Sequence, residues 1–490
     1  MEVMKKILTV LLSLSAACGS LCAQQTLRSA YFLDGYNFRH DLNPAFAAER
    51  SYFSVGLGGL NVETQSNMGV NNFLFPNNGE LTTFMSSSVS PDRFLGSLKD
   101  RNRLNANVDF DIFSLGIRTE DAFWSFGVNM KMNAGVNIPY SLFEFAKNTG
   151  ASQMYDISSL SARVNSYVEF ALGYSRQISD IVNVGARLKF LVGLANADVN
   201  VEKMKVRMDA DKWSVESKGK MDISAKFMDI RTKGETGAEL DDPSDGNLID
   251  FSDGMGSEES PSAGSFMNGY GAAVDLGAEA EIIPGLRVSL ALNDLGFISW
   301  KNTVKAETRG KGWSFDGFSD VSFDGGKDNS LSEQFKDLGD DLADMLDFER
   351  TEKNGKKMSA LAAVLNAAVE YEMPFYSALT AGFLSSTRFN GPYTYTEGRV
   401  FANLKPTRWL SLSLNYALSN LGSSMGGVIG FHTSGFSMFI GADSIPFAWA
   451  NAGSGLLYPY RKANVGVNFG LSFNVGARHE RKWLRPLVTL

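Results

Sequence analysis

Two cysteines, three histidines and 13 prolines among 490 residues exclude several kinds of protein at the outset. Cys18 and Cys22 both precede residue 24, so the remaining chain has no thiol for a disulfide framework or a thiolate metal site. His40, His432 and His479 stand far apart, without the short spacing of a histidine metal centre. Charged residues make up 20% of the chain, below the about 25% of soluble domains. After the N-terminus no run approaches the ~18 consecutive apolar residues of a membrane helix, so a helical membrane bundle is excluded. Acidic side chains outnumber basic ones, 54 to 46, which disfavours nucleic acid as a partner.

Glycine (48 residues) and phenylalanine (35) are abundant, and the hydropathy follows a period of two. Trp124, Phe126, Val128, Met130 and Met132 alternate with Ser125, Gly127, Asn129, Lys131 and Asn133. That is a strand with one greasy and one wet face. Leu104 to Ile112 shows the same alternation and joins it through Thr119-Glu120-Asp121 as a hairpin. The pattern recurs at 164–174 with 182–192, 272–282 with 286–292, 361–371 with 379–383, 400–404 with 410–418, and 427–431 with 436–442. Strands at 52–62 and 465–475 bring the expected count to fourteen.

Loop length sorts by parity. Tight turns follow the even strands, while long, mostly polar segments such as 64–103, 196–267 and 300–357 follow the odd ones. A soluble sandwich has no reason to sort its loops so; a closed transmembrane meander with both termini in the periplasm requires it. The fold expected is therefore all-β: a transmembrane antiparallel β-barrel of about 14 strands with long extracellular loops. Lys131, Arg187, Lys189 and Asp275 fall on the polar phase and are expected to line the lumen, since a Lys or Arg facing lipid at mid-membrane costs about 2–4 kcal/mol. Trp124 and Trp300 fall on the apolar phase as interfacial aromatics. The apolar phase of the second strand is even up to Ile112 and odd from Leu115, which reads as a β-bulge at Phe113 and Ser114, either a feature of the barrel rim or a discontinuity in the wall that serves as a lateral exit.

Residues 1–23 have the basic, apolar and small-residue layout of a cleaved secretory leader, with Lys5 and Lys6 before Ile7–Ala17. Its removal makes the net charge of −8 one unit more negative. Ser15, three residues before Cys18, does not match a lipoprotein site. Between Glu235 and Glu259 the chain is acidic, without Lys or Arg, and reads as mobile and solvated; Asp241, Asp242 and Asp245 lack calcium-loop spacing. Ser330 and Glu333 form a capping box ahead of Leu331, Phe335, Leu338, Leu342 and Leu346, an amphipathic helix over 330–348 expected to cap the barrel mouth, the alternatives being a docking surface for a partner or a lid over a ligand. Gly422-Ser423-Ser424-Met425-Gly426 matches a nucleophile elbow in letters, but it lies between two strands where the elbow needs strand, turn and helix. No catalytic, cofactor or metal constellation emerges, and the chain is not expected to be an enzyme.

Asp41-Leu42-Asn43-Pro44-Ala45-Phe46, just before the first strand, resembles the Asn-Pro-Ala element of FadL-type and PorV-type outer-membrane barrels. The hairpin from Gly271 to Gly277 and from Leu292 to Trp300 is similar to one in an uncharacterised relative of those families. The resemblance spans nearly all of the chain after residue 23. It implies fourteen strands and an N-terminal plug at 24–51, with Asn43, Pro44 and Phe46 as plug and gate; the apolar Tyr31, Phe32, Leu33 and Phe38 give that segment side chains that need burial. The barrel would then occupy 52–476 and a basic periplasmic tail 477–490, in the outer membrane. FadL-type barrels pass hydrophobic compounds, which implies a channel for small hydrophobic or amphiphilic ligands surrounded by outer-membrane lipid. PorV-type members act in secretion at the cell surface, which implies instead a non-transporting scaffold with a cell-surface protein partner.

Overall fold

Fourteen antiparallel strands, each bonded to its neighbours in chain order, form one sheet that closes on itself in the computed structural model. The structure describes residues 27–56, 59–77, 80–147, 154–208, 213–238, 240, 243–251, 254–257, 263–309, 313–315, 346, 348–446, 449–451, 457–459 and 464–479. The strands are β1 (Ser51–Val55, resuming as Leu60–Ser66), β2 (Arg101–Arg118), β3 (Ala122–Pro139), β4 (Ser161–Ser179), β5 (Val182–Met208), β6 (Gly269–Ile283) and β7 (Leu286–Thr308). They continue as β8 (Phe348–Ala360, resuming as Val364–Glu372), β9 (Leu379–Arg388), β10 (Tyr395–Thr407), β11 (Leu410–Ser419), β12 (Gly422–His432), β13 (Phe436–Ile445) and β14 (Val465–Val475). Closure comes from β1, which pairs with β14 on one edge, Val62 opposite Val467, and with β2 on the other, Val62 opposite Val108. All fourteen expected strands are present, and tight turns follow the even ones.

The side chains are arranged inside out relative to a soluble protein. On β4, Phe170, Leu172 and Tyr174 point outward, while Glu169, Ala171 and Ser175 are buried inside. On β11, Leu414, Tyr416 and Leu418 face out and Ser411, Ser413 and Asn415 face in; on β14, Val467, Phe469 and Phe473 oppose Asn468 and Ser472. A greasy exterior around a polar, hydrogen-bonded interior is stable only where lipid surrounds the cylinder. Trp124 packs on Tyr174 near the tight-turn end, with ring centroids 4.5 Å apart, in keeping with an interfacial girdle.

Trp300 is a correction. It is fully buried, not at the lipid interface, and its indole Nε1 donates to Ser359 Oγ at 2.7 Å. The cause is a bulge at Asp294, a residue with φ of 59°, where β7 slips against β6 between Val274 and Leu276. Leu290 faces lipid before the slip and Leu295 and Phe297 after it, so the even phase turns inward by Trp300.

The long loops also depart from expectation, because several continue the strands. β5 runs on to Met208 and pairs with an extra strand, Trp213–Ala225, which bonds in turn to the upper part of β7. Its exposed side chains form a ladder of ion pairs, Lys218–Glu202 at 2.6 Å and Lys220–Glu307 at 3.1 Å, which suits water above the membrane. The described part of the acidic stretch is ordered. Strands Met228–Ile230 and Met255–Ser257 pair, and Ile230, Ile249 and Met255 bury with Val206, Ile223 and Phe348 in one apolar cluster. Its acids find cations far away in sequence: Glu235 pairs with Arg350 at 2.7 Å and Lys353 at 3.2 Å, and Asp245 with Arg309 at 2.6 Å. A window of local composition cannot register such partners. Leu346 joins the same cluster, and Phe348, the last residue of the expected helix over 330–348, opens β8 as a strand instead; 330–345 and 347 lie outside the described residues, as do the leader, Asp241, Asp242 and residues 480–490.

Candidate functional site

The lumen is occupied by the chain's own residues from Leu27 to Ala48. They run through two short 3-10 turns, Arg28–Ala30 and Arg39–Asp41, and bury Tyr31, Phe38, Leu42 and Phe46 almost completely. These apolar side chains pack on one another and on apolar side chains of the wall: Tyr31 meets Phe32 and Phe46 edge-on at 5.1 and 5.2 Å, while Phe32 meets Phe401 of β10 at 4.9 Å and Tyr36 meets Phe439 of β13 at 4.7 Å. The segment and the wall thus share one small core, set in an otherwise polar interior. Hydrogen bonds and ion pairs hold it there.

Three sets of contacts seat it. At its start, the backbone N–H groups of Arg28 and Ser29 donate to the Asp443 carboxylate at 3.0 and 2.6 Å. The Arg28 guanidinium lies between Glu63, Glu397 (2.9 Å) and Asp443 (3.5 Å), and Arg399 pairs with Glu397 at 3.0 Å. In its middle, Asp41 pairs with Arg187, opening a network across β3 to β7. Arg187 lies 3.8 Å from Asp275; Lys189 reaches Asp275 at 2.7 Å and Asp294 at 2.6 Å; Lys131 reaches Glu169 at 3.0 Å. All of these groups except Asp275 border a cavity of about 60 Å³ with Asp109 and Arg388, room for a few waters among polar partners. Opposite charges packed this closely offset the cost of taking each out of water.

The third set seats Asn43-Pro44-Ala45-Phe46 on β5 and β6. Asn43 Oδ1 accepts from the Ala45 N–H at 2.9 Å, closing a local turn, while its Nδ2 donates to the Ala278 carbonyl at 3.3 Å. Asn293 and Asn366 both donate to the Leu42 carbonyl, at 2.9 and 3.1 Å. Gly185 and Gly277 make the approach possible, because a Cβ at either would overlap Pro44 or Asn43. Phe46 lies under the Arg39 guanidinium, 4.2 Å from its ring centre.

The wall beside this segment is irregular. β2 slips against β3 between Asp111 and Phe113, while β1 stays bonded to β2 up to Gly56, whose N–H donates to the Ile112 carbonyl at 2.9 Å, and again from Gly59, whose carbonyl accepts from the Asp111 N–H at 3.2 Å. Ile112 is the bulged residue, one place before the expected Phe113 and Ser114. The phase changes with it: Asp109 and Asp111 face the lumen before the slip, Ser114 after it. Tyr52 spans the distance from the lumen segment to this point, its hydroxyl 2.5 Å from His40 Nε2 and 3.1 Å from Ser114 Oγ.

A closed polar-lined cylinder, its interior filled by the segment just ahead of β1, is now defined. The chain belongs to the Family of unknown function (DUF5723). The family model matches residues 44–443, from the seated Pro44 to the Asp443 that receives Arg28. No curated relative matches the sequence. Among solved structures it is similar to the P. putida toluene transporter TodX (8% identity, TM-score 0.39, covering 94% of this chain and 97% of that one). It is similar also to the CymD monoaromatic hydrocarbon channel (12%, 0.41, 95% and 97%) and to a Pseudomonas aeruginosa FadL homologue (10%, 0.35, 92% and 98%). The barrel and its greasy exterior make this an outer-membrane protein.

Lys131, Arg187, Lys189 and Asp275 come together in one network, and Asn43, Pro44 and Phe46 lie on the wall below it. The cluster of Arg28, Glu63, Glu397, Arg399 and Asp443 was not legible in sequence. Glu63, Glu397 and Asp443 sit just past the strand limits drawn from hydropathy; the signal that finds them is the inward phase continued outward, as in Asn61, Glu63 and Gln65. Gly422 to Gly426 are all within β12, so no nucleophile elbow forms there.

Proposed function

We propose that this protein is an outer-membrane channel for small hydrophobic or amphiphilic compounds, closed at rest by residues 24–51 acting as a plug. A greasy solute crosses a polar, charged outer leaflet poorly and gains from a sheltered path. The observation that supports the reading is the seating of Leu27–Ala48: its hydrogen bonds and ion pairs reach the wall, and one chain of them, His40–Tyr52–Ser114, ends beside the slip of β2 against β3. Asn43, Pro44 and Phe46 anchor the plug, Lys131, Arg187, Lys189 and Asp275 hold its middle through Asp41, and parting of the strands at the irregularity near Phe113 and Ser114 opens a lateral route through the wall. The leader at 1–23 directs export and is then removed. Deleting residues 24–48 should raise uptake of a hydrophobic dye into cells and proteoliposomes while the barrel stays heat-modifiable on a gel. Unchanged uptake by a folded barrel contradicts the plug.

A second reading, a surface scaffold, draws on the extracellular unit, whose apolar cluster of Tyr155, Val206, Ile223, Ile249 and Phe348 is more than a channel rim requires. A stoichiometric protein partner after gentle detergent extraction favours the scaffold; co-purified small hydrophobic compounds favour the channel.

A further inference from the structure

The tight-turn end of the barrel carries a second cleft, of about 420 Å³, bounded by Gly35 and Asn37 of the lumen segment, the turns after β10 and β12, and the chain flanking β1 and β14. Three guanidiniums line it, those of Arg50, Arg408 and Arg478, against the single carboxylate of Glu49. This local cation surplus stands out in a chain of net charge −8. Glu49 is engaged by Arg478 at 2.7 Å and Lys405 at 3.6 Å, and Arg50 donates to the Gly476 carbonyl at 2.7 Å. Arg408 is exposed and has no carboxylate partner among the described residues. The rest of the lining is mostly hydroxyl and amide, from Thr433, Ser434, Ser437 and Asn474, apart from the His432 imidazole, which is 2.7 Å from Ser411 Oγ, and Trp409, which stacks on Phe431.

We propose that this cleft binds the phosphate monoester of a small polyol, with glycerol phosphate as the chemistry shared by a soluble metabolite and a membrane-lipid headgroup. Guanidinium forks match phosphate oxygens two at a time. A monoester carries about −1.5 to −2 charge near neutral pH, which the surplus here neutralises. The volume lies within the roughly 300–1,000 Å³ of small-molecule sites, too large for phosphate alone, and the polar lining suits hydroxyl groups. The cleft is complete only with Gly35 and Asn37 in place, so its ligand touches the lumen segment directly.

Calorimetric titration of the detergent-purified full chain tests this, with inorganic phosphate, glycerol 3-phosphate and dihexanoyl phosphatidic acid as probes. At least one glycerophosphate should bind, more tightly than inorganic phosphate, with affinity falling at least tenfold in Arg408→Gln and falling with added salt. Arg408 is exposed and unpaired, so the variant should fold; heat-modifiability on a gel checks this. Binding of the lipid alone assigns the source to the membrane, and binding of glycerol 3-phosphate assigns it to the periplasm. No binding of either, equal binding of inorganic phosphate, or unchanged affinity in Arg408→Gln overturns the proposal. No transport is read, so such a failure leaves the channel reading standing.

Discussion

Replacing Arg28 by Met is the sharpest test of how the lumen is kept closed. Arg28 is the one cation that the lumen segment brings to three wall carboxylates, those of Glu63, Glu397 and Asp443, and it is almost completely buried. Without it, Arg399 still meets Glu397, while Glu63 and Asp443 lose the guanidinium that lies between them. Removing one partner of a buried ion pair costs about 3–5 kcal/mol, because the remaining charge stays buried without its counterion. The barrel ladder makes no use of the Arg28 side chain, so the loss falls on the seated segment. At about 1.4 kcal/mol per factor of ten, the balance between seated and displaced states moves by roughly 2–3.5 powers of ten. Efflux of a hydrophobic dye from proteoliposomes reads the displaced fraction directly. Arg28→Lys keeps the charge but loses the planar fork, and should fall between wild type and Arg28→Met. Lys203→Met, which breaks only an exposed pair with Glu216, is the control and should leave efflux unchanged. A heat-modifiable Arg28→Met barrel that leaks no more than wild type would refute the reasoning.

Other expectations follow from the same contacts. Gly277→Val adds atoms where Asn43 and Pro44 lie, so dye efflux should rise and new protease cleavage should appear within residues 27–50 of a barrel that still resists heat in detergent. Tyr52→Phe removes the hydroxyl between His40 and Ser114, worth about 1–3 kcal/mol when a buried group loses its partner; efflux should rise, but less than in Arg28→Met. In the extracellular unit, hydrogen bonds from Arg350 hold the Glu235 carboxyl down to about 2, outweighing its partial burial. A carboxyl whose folded value is lowered stabilises fully above its unfolded value and loses that contribution as pH falls toward the folded one. Glu235→Gln should therefore make the unit more protease-sensitive at pH 7, with the difference from wild type fading between about pH 4.5 and 2. A difference that is independent of pH in this window contradicts the pairing.

The period-two pattern was legible because lipid and water impose opposite demands on the two faces of each strand, and it located all fourteen strands. Lys131, Arg187, Lys189 and Asp275 share the polar phase, since the lipid face excludes their charge, and ion pairs join them in one network. Two things escaped the pattern. A single bulge reverses the phase beyond it, so the slip at Ile112, where Leu115 and Ile117 follow on the other phase, was visible, whereas the slip at Asp294 turned Trp300 from lipid to core unnoticed. Ion pairs between distant strands leave no mark in a local window: Arg28 meets Asp443 across 415 positions, and Glu235 meets Arg350 across 115. For the same reason the acidic stretch read as solvated, although Ile249 and Met255 bury in a common cluster with Phe348.

The first and last strands close the barrel wall. Val62 on β1 lies opposite Val467 on β14, more than 400 residues along the chain. With Val62→Cys and Val467→Cys introduced together, mild oxidation of the membrane-inserted protein should join positions 62 and 467, recovered as one cross-linked tryptic peptide by mass spectrometry. Full alkylation of both positions with no cross-link, in a protein that remains in the outer-membrane fraction, would contradict the closed barrel.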